Sequence, residues 1–173
     1  GNATGISMLT NQLEAKRLGL LHEMAPRAVP VGVLINPANA SAGNQQREVT
    51  AAAEALGVTV HLRQSGRDAD LAGSCEALVR AGAAALMPAA DPYFASQRET
   101  LLAIAGKHRL PAIWEWPEFV EKGGLMSYGT DIVDNYRQAG QYAARILKGA
   151  RPADLPVLQP TRSEEHTSEL QSQ

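Results

Sequence analysis

Asn36 and Asn39, Asp91, and the aromatic residues Tyr93, Trp114 and Tyr128 are the side chains of this sequence best equipped to hold a small polar molecule. Each asparagine carries donors and acceptors, Asp91 offers a fixed negative charge suited to an ammonium group, and the rings add flat apolar faces with polar edges. Together they fit a small zwitterion, or another polar molecule with an apolar part. Asn and Asp also brace turns through bonds to their own backbone. Residue type alone therefore leaves Asn36 and Asp91 open between holding a ligand and holding a turn.

Catalysis would need a nucleophile, a base and a group that holds developing charge, all converging. His22, His61, His108 and His166 are scattered and have no metal-ligand spacing to another His, Cys or carboxylate, so no metal site is expected. There is no G-x-S-x-G elbow, Walker loop or G-x-G-x-x-G, so neither a cofactor nor an enzymatic activity is expected. Glu115, Glu118 and Glu121 cluster around a short helix and read as a solvated surface. Cys75 shares an apolar stripe with Leu71, Leu78 and Val79, which marks a core thiol, and as the single cysteine it can form no internal disulfide.

The elements that must position these residues alternate between helix and strand. A bare apolar run, Val31 to Ile35, stops in Asn-Pro-x-Asn and is followed by a helical pattern from about Ser41 to Leu56, ended by Gly57. That is the pattern of a buried parallel strand entering a βα loop, where open parallel sheets bind ligands. The helix before it runs from a cap at Thr10 or Asn11 through Leu13, Leu20, Leu21 and Met24. Val58, Val60 and Leu62 alternate with polar residues, predicting a strand nearer a sheet edge. Asp68 or Asp70 opens a third helix, and Ala83 to Met87 forms the next buried strand, ending in the rigid loop Pro88 to Pro92. Ser96-x-x-Glu99 has capping-box spacing for a helix to about His108. Pro111 to Trp114 is a fourth strand, Pro117 to Glu121 a helical turn, and Leu125 to Gly129 a further strand after Gly123-Gly124. Thr130 or Asp131 caps a long helix with Ile132, Tyr136, Ala139, Ala143, Ile146 and Leu147 on its apolar side. Val157 to Thr161 could extend once more. The alternation predicts an α/β fold, a parallel sheet with helices on both faces.

The 173 residues suffice for one ordinary core, and no apolar run approaches the ~20 residues of a membrane span. RSEEHTSELQS, from Arg162 to Ser172, breaks from the Ala/Leu/Val-rich text before it and looks like a sequencing-library adapter translated in frame, so residues 162–173 are expected to be non-native. Setting them aside leaves 15 basic and 15 acidic residues. A neutral chain without a Lys/Arg cluster has no footprint for nucleic acid or an anionic membrane.

The succession KRLGLL (Lys16 to Leu21), VGVLINPAN (Val31 to Asn39), AAEALGV (Ala52 to Val58), PAADPYF (Pro88 to Phe94), HRLPAIW (His108 to Trp114), EFVEKGGLMSYG (Glu118 to Gly129) and ILKGARPADLPV (Ile146 to Val157) resembles the substrate-binding proteins of bacterial ABC importers of the tryptophan/tyrosine-type family. The resemblance covers nearly all of residues 2 to 161. It implies one lobe of a type I periplasmic-binding fold plus one helix of a missing lobe. Residues 1–15 would then lie near the hinge, 16–123 form the second lobe, and 124–161 supply a crossing strand and a first-lobe helix. It further implies a periplasmic or extracytoplasmic protein, monomeric when full length, that passes a small-molecule solute to ABC permease subunits. Carried onto matching positions, the ligand contacts would be Asn36, Asn39, Asp91, Trp114 and Tyr128, with Tyr93 and Glu115 beside them. The alternatives are a ligand-sensing domain of a regulator or receptor, and an enzyme of the flavodoxin-like class.

Overall fold

The computed structural model describes residues 2–6, 13–66, 68–158 and 163–167. The chain divides into two compact units, one built on residues 13–129 and one on 2–6 and 130–158.

In the first unit, helices and strands alternate as α1 (Glu14–Met24), β1 (Val31–Ile35), α2 (Ala42–Leu56), β2 (Val60–Gln64), α3 (Asp68–Arg80), β3 (Ala85–Pro88), α4 (Pro92–Ser96), α5 (Arg98–His108), β4 (Ile113–Trp114), α6 (Pro117–Glu121) and β5 (Met126–Thr130). β1 pairs in parallel with β2 on one side and β3 on the other, aligning Val31 with both Val60 and Ala85. A parallel bridge between Leu86 and Ala112 carries the sheet on to β4, which pairs in parallel with β5. A last strand, β6 (Ser163–Thr167), is divided between the two units after Glu164. β2 is an edge strand, as expected, but its exposure does not follow the expected alternation: Leu62, Arg63 and Gln64 are exposed in succession.

β1 is buried along its whole length because helices cover both faces of the sheet. Val31, Val33 and Ile35 join Ala85, Met87, Ile113 and Met126 in one core with Leu18 and Leu21 of α1 and Val49 and Ala53 of α2. Leu34, Leu86 and Trp114 face the other way, into a core with Leu71, Cys75 and Leu78 of α3 and Leu101 and Ala105 of α5. The period of two along each strand thus sorts its residues between two helical layers. Cys75 lies in that second core, and burial pushes its thiol up to about 11, as expected of an unreactive core residue.

Several boundaries differ from the sequence expectation. The sequence places Val49, Ala52, Ala53 and Leu56 on the buried side of α2, but Leu56, its last residue, is 42% exposed, beside Gly57 in a left-handed cap at φ 67°. Ser96 caps nothing; it ends α4 and its hydroxyl donates to the Tyr93 carbonyl at 2.6 Å, while α5 starts behind Gln97 without a side-chain cap. The side-chain cap in this stretch belongs to the separate short helix α4 and is made by Asp91, with Pro92 in the first helical turn. The strand expected at Pro111 is two residues long plus the bridge at Ala112. Thr10, Asn11 and residues 159–161 lie outside the described residues.

The second unit consists of residues 2–6, α7 (Ile132–Leu147) and a 3-10 turn, Pro152–Asp154. Asp131 caps α7 by accepting the Asp134 N–H at 2.8 Å. Ile6 bridges Leu158 in parallel, the Thr4 hydroxyl donates to the Leu155 carbonyl at 2.8 Å, and Tyr142 Oη donates to the Pro156 carbonyl at 2.8 Å. Tyr142 is buried, yet Val133, Tyr136 (70% exposed) and Leu147 (88% exposed) leave a wide apolar face of α7 open.

Candidate functional site

The carboxyl ends of β1, β3 and β4 lie side by side, so the loops that leave them share one rim of the sheet. After Ile35 the chain turns at once: Asn36 Oδ1 accepts the Ala38 N–H at 3.0 Å, and Asn39 Oδ1 accepts the Ser41 N–H at 2.8 Å just ahead of α2. These are the local bonds that short Asn side chains make in turns. Each amide nitrogen is then left to point elsewhere, and both meet the carboxylate of Asp91. Asn36 Nδ2 donates to Oδ1 at 3.1 Å and Asn39 Nδ2 to Oδ2 at 2.6 Å, while the Tyr93 N–H donates to Oδ1 at 2.7 Å. Asp91 is buried, and both of its oxygens are engaged by the protein itself. Turn and rim are therefore the same structure: one carboxylate caps α4 and ties the β3 loop to the β1 loop.

A second layer, absent from the sequence expectation, grips the same loop from behind. Glu14, at the start of α1, accepts the Ala90 N–H at 2.8 Å, and Gln45 Nε2 of α2 donates to the Ala90 carbonyl at 2.7 Å. Arg17 Nη2 binds the other oxygen of Glu14. Glu14, Arg17 and Gln45 are all fully buried, and among the described residues Arg17 Nε and Nη1 and Gln45 Oε1 have no hydrogen-bond partner. The signal for them was a charged pair on an apolar stripe: Glu14, Arg17, Leu18 and Leu21 fall at i, i+3, i+4 and i+7, one face of a helix.

The other expected site residues are placed differently from one another. Trp114 is buried in the second core, stacked on Phe119 at 4.5 Å and 9°, with Nε1 lacking a partner. Its ring lines a small cavity together with Asp91 and Glu115. Tyr93 is half-buried on α4, and Tyr128 is half-buried on β5 against the first core. Of the three clustered glutamates, Glu118 and Glu121 are exposed, as a solvated surface requires, whereas Glu115 is half-buried at the end of β4. Burial pushes the Glu115 carboxyl up to about 7, against the opposing pull of Arg17; Glu14 and Asp91 raise it further, and the Asp91 N–H bond lowers it. Beside it is a cavity of about 10 Å³ bounded by Asp91, Phe94, Trp114, Glu115, Trp116 and Phe119, whose rings account for the poor solvation of the carboxyl. A wider depression of about 350 Å³, lined by Leu102, Arg109, Leu110, Pro111, Lys122 and Gly124, lies at the amino ends of β4 and β5, away from this rim.

No three His, Cys, Asp or Glu among the described residues are grouped to hold a metal ion, and none of the described helices is long and apolar enough to cross a membrane. The sequence profile of the ABC transporter substrate binding proteins matches residues 1–165. The chain belongs to that family. No curated protein is similar enough in sequence to count as a relative of this substrate-binding protein. Among solved structures, it resembles a conserved domain protein from Vibrio cholerae at TM-score 0.83 and 24% identity, over 95% of this chain and 54% of that one. An ABC domain from Streptococcus pneumoniae, solved in complex with L-Trp, matches at TM-score 0.80 and 25% identity, over 95% of this chain and 56% of that one. CD0873, an adhesive substrate-binding protein from Clostridium difficile solved open and ligand-free, matches at TM-score 0.63 and 24% identity, over 89% of this chain and 52% of that one. This substrate-binding protein thus spans little more than half the length of the structures it resembles.

Proposed function

We propose that this chain supplies one lobe of the solute-binding component of an ABC importer, which captures a small molecule outside the cytoplasm and delivers it to a membrane permease. The supporting observation is the convergence of the loops after β1, β3 and β4 on one rim, braced by Asn36, Asn39 and Asp91 into a preformed surface. A rigid rim that needs no rearrangement before binding loses less freedom on capture. A second lobe, to which α7 would belong, closes over the solute and gives the permease a shape to recognise.

The solute class is an amino acid or a related compound. The Streptococcus pneumoniae domain with bound L-Trp supports this, as do the rim residue types. In this reading Tyr93, Glu115 and Tyr128 supply the contact surface, Asn36, Asn39 and Asp91 hold its shape, and Trp114 forms its floor. A thermal-shift screen of the complete two-lobed protein against free amino acids tests the reading. Stabilisation by one or a few of them is expected, and a flat response to all would overturn the solute class.

A further inference from the structure

Three carboxylates, Glu14, Asp91 and Glu115, gather behind and along the rim with a single guanidinium, Arg17, and their roles differ sharply. Glu14 is consumed by Arg17 and the Ala90 N–H. Asp91 is consumed by Asn36, Asn39 and the Tyr93 N–H. Among the described residues, Glu115 is bonded by the backbone N–H of Asp91 and by no side-chain donor. Asp91, the obvious anchor for a positive charge by residue type, therefore has both oxygens engaged and three of its roughly four acceptor positions filled, whereas Glu115 accepts a single bond.

The surroundings of Glu115 show why that spare capacity is tuned. From α1 it faces Arg17 and Glu14, from the loop ahead of α4 it faces Asp91, and from the adjoining β5 it meets the backbone of Gly129. Glu48 of α2 feels the same Glu14 and Arg17, and burial raises its carboxyl too. Arg17 is 1% exposed and, among the described residues, keeps two N–H positions without a hydrogen-bond partner, so the interior behind Glu115 is polar and incompletely satisfied. One positive charge against three acids leaves the rim short of a cation.

We propose that Glu115 is the residue that reads a cationic group of the solute, an ammonium or other protonated amine, and that it does so only as a carboxylate, so that capture releases one proton. This rests on the solute-binding reading above. In the step itself the carboxyl O–H bond of Glu115 breaks, the proton goes to bulk water, and the carboxylate formed pairs with the ammonium, which keeps all of its own hydrogens. Near neutral pH a substantial fraction of the free protein carries the proton, because burial raises the carboxyl to about 7. The solute therefore competes with hydrogen ion for the site.

The test is calorimetry of the complete protein with the best-binding free L-amino acid and with its desamino analogue, between pH 6 and pH 8 and in two buffers of different protonation enthalpy. Affinity for the amino acid is expected to rise about tenfold across that range, with proton release to the buffer at pH 7. The desamino analogue should bind more weakly, and Glu115→Gln should flatten the pH slope. Affinity independent of pH, no proton release, equal binding of the desamino analogue, or a slope that survives in E115Q overturns the assignment to Glu115 and leaves the transport reading standing. Failure of every amino acid and amine to bind at any pH overturns both. If E115Q does not fold, a wild-type affinity independent of pH or the absence of proton release still overturns the assignment.

Discussion

The side-chain amide of Asn39 donates to the carboxylate of Asp91 at 2.6 Å, and through that bond the loops leaving β1 and β3 become one piece. Residues 52 positions apart in the chain are thus coupled at the edge of the sheet where a solute would arrive.

Asp91→Ala removes the acceptor for two side-chain amides and for the Tyr93 N–H at once. Leaving such groups unpaired costs about 1–3 kcal/mol each when they are buried, so a loss of roughly 2–4 kcal/mol is expected after partial rehydration. Asp91→Asn keeps the shape and should lose less. Urea unfolding of the three proteins checks the order, and an alanine variant as stable as the parent would show that the brace is dispensable.

Arg17→Met strands the Glu14 carboxylate in a fully buried position, and breaking a buried pair from one side costs about 3–5 kcal/mol. Replacing Glu14 by Gln in the same protein removes the stranded charge, so the double variant should recover part of the loss. Recovery will be incomplete, because Arg17 also packs and Glu14 holds the Ala90 N–H more strongly as an anion. A double-mutant cycle in denaturant measures the coupling.

Glu115 binds its proton more tightly folded than unfolded, since burial lifts its carboxyl from 4.5 to about 7. The folded state therefore holds the extra proton between those values, and the contribution present below pH 4.5 is lost as pH rises through 7. Glu115→Gln should stabilise the protein more at pH 8 than at pH 5, by on the order of 2 kcal/mol. Thermal melts of both proteins across that range would reveal a constant difference if the carboxyl were ordinary.

At Gly129 an added Cβ would lie 2.0 Å from the carbonyl oxygen of Glu115, a backbone atom that cannot step aside. Gly129→Ala should therefore force β5 away from the end of β4, costing roughly 1–3 kcal/mol and moving Glu115 with it. Hydrogen exchange along Ile113–Trp114 and Met126–Thr130 would register the change, and unaltered protection would refute it.

Tyr136 and Leu147 stand 70% and 88% exposed on α7. Tyr136→Ser should change the stability of this chain by no more than about 0.5 kcal/mol. If α7 belongs to a second lobe, the same substitution in the complete protein should cost ~3 kcal/mol, as truncation of a buried aromatic does. Equal effects in both settings would remove α7 from that lobe.

The sheet was legible in the sequence because burial on both faces leaves a plain mark: Val31 to Ile35 has no polar residue to hide, and the alternation around Val60 announces an edge. The rim was legible in outline, since Asn36, Asn39 and Asp91 sit where strands end, and the coordinates bring them into contact. What the pattern could not convey is where their bonding capacity goes. Asp91 satisfied from within and Glu115 left spare look alike as letters. Glu14, Arg17 and Gln45 escaped notice because charged and amide residues in a helix are read as surface, and only packing of α1 on α2 turns them inward. Ser96 misled for a related reason: capping-box spacing was present, but Asp91-Pro92 nucleated a helix five residues earlier.

The grip on Ala90 is made through its peptide N–H and carbonyl, each taken by a side chain from a different helix, and its methyl takes no part. A scan that changes the loop one residue at a time would therefore pass over the anchorage without disturbing it. Part of the loop's firmness is encoded some 76 positions upstream at Glu14 and 45 upstream at Gln45, so variation there, as well as at Asp91 within the loop, can retune the rim.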